Sequence, residues 1–272
     1  MPELPEVETT VRGLEKVLDG QLIRSVELRR ADLRRAFPDD LGQRLTGARV
    51  TGLGRRAKYG LIATDRGDTM IFHLGMLGRW RIDPSDIGAH DHLLIETEDG
   101  RRLSLNDPRR FGSVDLILTD ELGNWPPFKA LGPEPLGGEV DGKWLKARIE
   151  GRKAAIKLML LDQRIIAGLG NIYVCEALFR ARINPRKAAG KVSRAKLDLL
   201  ATSIEVVLIE AIAAGGSTLR DFASPDGELG YFSKQFDVYG REGELCRGEC
   251  DGVVKRILQG DRSTFYCPAC QR

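Results

Sequence analysis

No run of apolar residues in this chain approaches the roughly 18 that a membrane-crossing helix needs, which excludes a helical membrane span. The N-terminal stretch MPELPEVET has acids and prolines where a secretory signal would carry basic residues and then a hydrophobic stretch. The expected location is the cytoplasm, where thiols stay reduced. An excess of charge is also missing. With 42 basic and 39 acidic residues the net charge is +3, so the overall balance identifies no partner. There is no internal repeat and no low-complexity tract, which argues against a solenoid or a long disordered tail. Cysteine is scarce, with five residues, four of them confined to the stretch 246–272.

The 272 residues are 42% hydrophobic, enough for a substantial core in two domains or one large one. Val7, Val11, Leu14 and Leu18 recur at helical steps and predict a helix over 5–18 stopped near Gly20. From about 21 to 119 the pattern turns to short strand-like segments cut by glycine and Asp-Gly: LIRSVEL, ARVTGLG, YGLIAT, TMIFHLG, HLLIET, RRLSLN and SVDLIL. These predict an antiparallel β-sandwich. NWPPFKALGPEPLGG reads as a linker, after which the period becomes helical. The clearest helix starts near Ser193, a good N-cap, and stops at Gly215-Gly216.

Local charge says more than total charge. Arg180 to Lys196 holds seven basic residues and no acid, and Lys143 to Arg164 holds seven basic and two acidic. Either run suits a surface facing a polyanion, or a solvated helix face. The sharpest pattern is Cys246-x3-Cys250-x16-Cys267-x2-Cys270. Two close pairs flanking a hairpin-sized insert suit one tetrahedral zinc per chain, and four thiolates leave no open position, so the expected role is structural. Between the pairs, QGDR reads as a turn with Arg262 at its tip. Cys175, in NIYVCEALF, reads as a buried core thiol.

Several blocks then occur in one order: PELPEVET, RRAKYG, HLGM, HDH at 90–92, DPRRFG, LGPEPL, AGLGNIYVCEALF, GYF, VYGREGE and RSTFYCPAC. On these the chain resembles the bacterial formamidopyrimidine-DNA glycosylases over its whole length. One departure is the three-residue spacing in the first cysteine pair. The related endonuclease VIII enzymes usually begin PEGPE, so PELPE favours the purine-directed group. The resemblance implies an α+β multidomain fold. It has a sandwich domain with an N-terminal helix (1–130), a helix–two-turn–helix domain with a lesion loop (131–236) and a zinc-ribbon-like hairpin finger (237–272). It also implies a monomer acting on damaged double-stranded DNA, with no membrane partner.

Residue by residue, the resemblance implies that Pro2, freed by loss of Met1, is the amine nucleophile. Glu3 moves a proton to and from the sugar ring oxygen, and Lys58 and Arg262 assist the eliminations. Met76, Arg109 and Phe111 match residues that fill the space left by a flipped nucleotide. His73, His90, Lys153, Lys157 and Asn171 are further DNA contacts by alignment. Glu6 reads either as a supporting acid or as a surface acid matched to the helix dipole, and the stretch 217–236 as a loop over the flipped base. Two rivals stay open on sequence: a non-catalytic DNA reader on the same scaffold, and a zinc-stabilised protein-interaction module.

Overall fold

The computed structural model describes residues 1–217 and 231–272. The chain divides into two compact units, Met1–Lys129 with Ala214–Tyr231, and Ala130–Ala213 with Phe232–Arg272.

The first unit begins with α1 (Leu4–Leu18), whose apolar stripe, Leu4, Val7, Val11, Leu14 and Leu18, is buried. Pro5 sits in its first turn, where no N–H is required. The strands are β1 (Ile23–Leu28), β2 (Val50–Arg56), β3 (Tyr59–Thr64), β4 (Asp68–His73), β5 (Arg79–Ile82), β6 (Asp91–Thr97), β7 (Arg102–Asn106) and β8 (Ser113–Leu118). Short helices α2 (Leu41–Leu45) and α3 (Pro126–Lys129) complete the unit. The strands form two antiparallel four-stranded sheets, ordered β1-β6-β7-β5 and β2-β3-β4-β8. The expected sandwich is therefore present. Phe72 on β4 meets Trp80 on β5 edge to face at 5.7 Å, within a core shared with the buried face of α1.

Strand β5 has no counterpart among the seven expected segments. RWRI buries only Trp80, so its alternation is too short to read against the flanking arginines.

In the second unit, α4 (Gly142–Ile149) is capped by Asp141, whose carboxylate accepts the Trp144 N–H at 2.6 Å. Next come α5 (Ile156–Leu160), α6 (Asn171–Arg180) and α7 (Arg194–Ala213). The Ser193 hydroxyl accepts the Lys196 N–H at 3.4 Å, as its N-cap position requires. Helix α6 is buried from Ile172 to Phe179, with Cys175 packed among Val238, Val254 and Cys267. The unit ends in a hairpin, β9 (Lys255–Gln259) and β10 (Arg262–Tyr266). Gly260 and Asp261 both have positive φ (55° and 58°), the backbone a tight two-residue turn needs, and Arg262 follows at once.

Of the stretch 217–236, residues 218–230 lie outside the described part. Ser217 pairs with Tyr231 in an isolated antiparallel bridge, and Phe232–Gln235 form a 3-10 turn. No helix among the described residues is long and apolar enough to cross a membrane.

Candidate active site and nucleic-acid interface

The head of α1 concentrates buried acid. Pro2 is buried behind an exposed Met1, and Glu3 and Glu6 are each 2% exposed. Glu6 is not a surface acid. One carboxylate oxygen accepts the Glu3 N–H at 2.8 Å, and the other accepts the Ser217 N–H and hydroxyl at 2.8 and 2.9 Å. The carboxylate thus ties Glu3, the residue after Pro2, to Ser217.

Lys58 is 7% exposed. It lies in the two-residue turn joining β2 to β3, beside Ala57 with φ 53°, rather than on a strand edge facing water. His73, at the end of β4, packs against Tyr59 with ring centroids 5.0 Å apart. Its Nδ1 accepts the Gly75 N–H at 3.0 Å. Burial, and then the charges of Lys58, Arg34 and Arg35, push its pKa down to about 4. His73 is therefore neutral near pH 7, with Nδ1 an acceptor and Nε2 carrying the proton. In the HDH motif His90 is exposed while His92 is 2% exposed and bonds through Nε2 to the Asp107 carbonyl at 3.0 Å.

The residues expected to enter a duplex stand at the surface. Phe111 is 44% exposed and Met76 half-buried, so Phe111 is not ordinary core packing. Arg109 is exposed, with its guanidinium carbon 4.6 Å from the centre of the Phe111 ring.

In the second unit, Lys153 is exposed and has no carboxylate partner among the described residues. Lys157 is different. It is fully buried, and its ammonium donates to the Thr264 hydroxyl at 2.7 Å and the Ser263 carbonyl at 3.3 Å. Asn171 donates through Nδ2 to the same carbonyl at 2.9 Å and to the Tyr239 hydroxyl at 3.3 Å. Its Oδ1 is buried without a hydrogen-bond partner among the described residues. Both side chains thus hold the strand that begins with Arg262, which is exposed and free of carboxylates among the described residues.

Four sulfurs, from Cys246, Cys250, Cys267 and Cys270, lie within 4.8 Å of one another and form a set able to hold a metal ion. Soft thiolates in tetrahedral number fit zinc and leave no open coordination position.

The basic run 180–196 is less free than its composition suggests. Arg180 pairs with Glu210 at 2.6 Å and Asp237 at 3.3 Å, Arg182 lies 3.6 Å from Glu249, and Arg194 pairs with Asp198 at 3.0 Å. Arg186, Lys187 and Lys191 keep no carboxylate partner among the described residues.

Sequence reasoning passes over four residues that shape these sites. Glu176, fully buried on α6, accepts the backbone N–H groups of Asp237, Val238 and Tyr239. Burial pushes its carboxyl pKa up against the downward pull of those donors. Gln163 donates to the Leu161 and Leu169 carbonyls and accepts the Gly168 N–H, so that glycine N–H is already used inside the turn before α6. Tyr239 receives Asn171, and Asp107 organises the loop at 107–112. The only signal for three of them was their place in the ordered blocks, Asp107 in DPRRFG, Glu176 in AGLGNIYVCEALF and Tyr239 in VYGREGE; Gln163 had none.

The formamidopyrimidine-DNA glycosylase N-terminal domain family matches residues 1–114, and the H2TH domain of the same enzymes matches residues 131–223. A formamidopyrimidine-DNA glycosylase of Novosphingobium aromaticivorans is 70% identical over the full length of both chains. The Lactococcus lactis Fpg in complex with DNA containing an abasic site superposes with a TM-score of 0.92 at 36% identity, over 99% of each chain. The wild-type Lactococcus lactis Fpg (MutM) with DNA containing N7-benzyl-Fapy-dG gives 0.91 at 36% identity, over 100% of each chain. With buried acids behind Pro2, an exposed Arg109–Phe111 pair and a four-cysteine finger on the same fold, the chain belongs to the formamidopyrimidine-DNA glycosylase family.

Proposed function

We propose that this chain is a base-excision-repair DNA glycosylase with an associated abasic-site lyase activity. Its substrates are oxidised purines in duplex DNA, 8-oxoguanine opposite cytosine and formamidopyrimidines. The observation that carries the reading is the burial of Pro2, Glu3 and Glu6 at the head of α1 in a chain of this family. The protein works as a monomer in the bacterial cytoplasm, on nucleoid DNA.

In this structure the Pro2 nitrogen is tied up in the peptide bond to Met1. Removal of Met1 frees a secondary amine at the positive end of a helix, which disfavours its protonated form. That amine attacks C1′ of the damaged nucleotide and the base departs. Glu3 protonates the ring oxygen as the sugar opens. The resulting iminium is cationic without a proton, and it acidifies the C2′ hydrogen. Loss of that proton expels the 3′ phosphate, and a second elimination expels the 5′ phosphate, leaving a one-nucleotide gap. Lys58 and Arg262 stabilise the departing phosphates. Neutral His73 offers Nε2–H to a phosphate, and His90, Lys153 and Asn171 supply further contacts. Lys157 serves the DNA through the hairpin it holds. Met76, Arg109 and Phe111 fill the vacated space, with Arg109 on the orphaned cytosine. Zinc on the four cysteines supplies cross-linking that a hairpin this small needs in order to fold.

Borohydride tests the reading. Protein lacking Met1 is expected to form a covalent adduct with a duplex carrying 8-oxoguanine opposite cytosine. A variant keeping one extra residue before Pro2 is expected to bind the duplex without adduct or nicking. Nicking at full speed by the blocked protein overturns the proposal, and binding without adduct by the unblocked protein favours a non-catalytic reader.

A further inference from the structure

Met76 is carried by the loop between β4 and β5, while Arg109 and Phe111 are carried by the loop between β7 and β8. The two loops touch backbone to backbone. Gly75 has φ 61°, and a Cβ there would lie 2.4 Å from the Phe111 carbonyl carbon and 2.5 Å from the Gly112 nitrogen. A Cβ on Gly112 would in turn lie 2.8 Å from the His73 carbonyl oxygen and 3.0 Å from Asp107 Oδ2. Neither position accommodates a side chain without separating the loops.

At the hub is Asp107, fully buried. Its Oδ1 accepts the Arg109 N–H at 3.2 Å and its Oδ2 the Gly112 N–H at 2.8 Å. Its carbonyl accepts His92 Nε2 at 3.0 Å and the Arg110 N–H at 3.2 Å, and its own N–H donates to the His90 carbonyl at 2.9 Å. Arg110 is held at φ 53°, which throws Arg109 and Phe111 out to the same exposed side of the turn.

We infer that Asp107 is a positioning residue for opening the duplex. It fixes the β7–β8 loop, through the Arg109 and Gly112 N–H groups, in the shape against which Gly75 of the β4–β5 loop packs, so that Met76, Arg109 and Phe111 form one preformed wedge and enter together. The inference rests on the glycosylase reading above. Its physical content is that the loops are ordered when the protein folds and not at the moment a base pair is unstacked. A carboxylate suits the place because each oxygen accepts a separate N–H, which an amide cannot reproduce.

The test compares two duplexes, one with 8-oxoguanine opposite cytosine and one with a preformed abasic site, which has no base to unstack. Asp107→Asn is expected to lower the single-turnover rate on the first about ten- to a hundredfold, the effect of losing a charged hydrogen bond. The rate on the second is expected to hold. Fluorescence of a 2-aminopurine beside the lesion is expected to report equally slowed unstacking. Gly75→Ala, which keeps the carboxylate but pushes against the Phe111 carbonyl carbon and the Gly112 nitrogen that donates to it, is expected to give the same split and carries the test if Asp107→Asn does not fold. An equal loss on both duplexes, or no loss on either, overturns the inference. A parent protein inert on both overturns the glycosylase reading, and the inference with it.

Discussion

His73 illustrates how one side chain answers to several neighbours. Its Nδ1 must stay unprotonated to accept the Gly75 N–H, and burial beside Lys58 keeps it so, with a pKa of about 4. Because the folded-state value lies below the unfolded 6.5, the unfolded chain binds more protons between those values. The contribution is fully present above pH 6.5 and is lost as pH falls towards 4. By about pH 5 the expected loss is about 2 kcal/mol. Urea midpoints at neutral pH and at that pH are expected to show a correspondingly smaller drop for His73→Asn, whose amide oxygen replaces Nδ1. Glu6 makes a second case. Glu6→Ala removes the acceptor of three hydrogen bonds in a buried place and is expected to cost about 2–4 kcal/mol in denaturant unfolding.

Among the elements, the β9–β10 hairpin depends most on outside support. Its strands are five residues each, and Leu258 on it is 72% exposed, so little apolar surface holds it in place. Four cysteines, Lys157 and Asn171 do that work. Chelation of a zinc ion held by the four cysteines, as proposed above, or Cys267→Ser, is expected to raise amide exchange through residues 255–266 while β2, β3 and β4 keep their protection. Strand cutting is expected to fail in the same samples. At the head of α4, Asp141→Ala is expected to lower stability by about 1 kcal/mol, read from the melting temperature. The helices and strands with clear periods, α1, α7 and most of the sandwich, were readable in advance because each buries one regular face. Strand β5 was not, since four residues with one buried side chain leave no period to detect.

At the scale of the whole molecule, a net charge of +3 conceals an uneven surface. Binding to a polyanion depends on cations that carboxylates do not already neutralise. Lys153 is such a cation and Arg194, paired with Asp198, is not. Duplex affinity measured against salt is therefore expected to lose about one unit of log–log slope in Lys153→Ala and to keep its slope in Arg194→Ala. The run 180–196 looked uniformly basic because its partners Glu210, Asp237 and Glu249 lie well beyond it in the chain.

Sequence alone settled the cysteine spacing, the N-terminal helix and the sandwich, because spacing and periodicity are local properties of a chain, and its ordered motif blocks carried the resemblance to the family. The fold decided which charges are spent inside the protein. Glu6 meets Ser217 across 211 residues and Lys157 meets Thr264 across 107, and no local pattern announces either pairing. Burial of a polar group is favourable only where a partner waits, and that partner is supplied by tertiary packing.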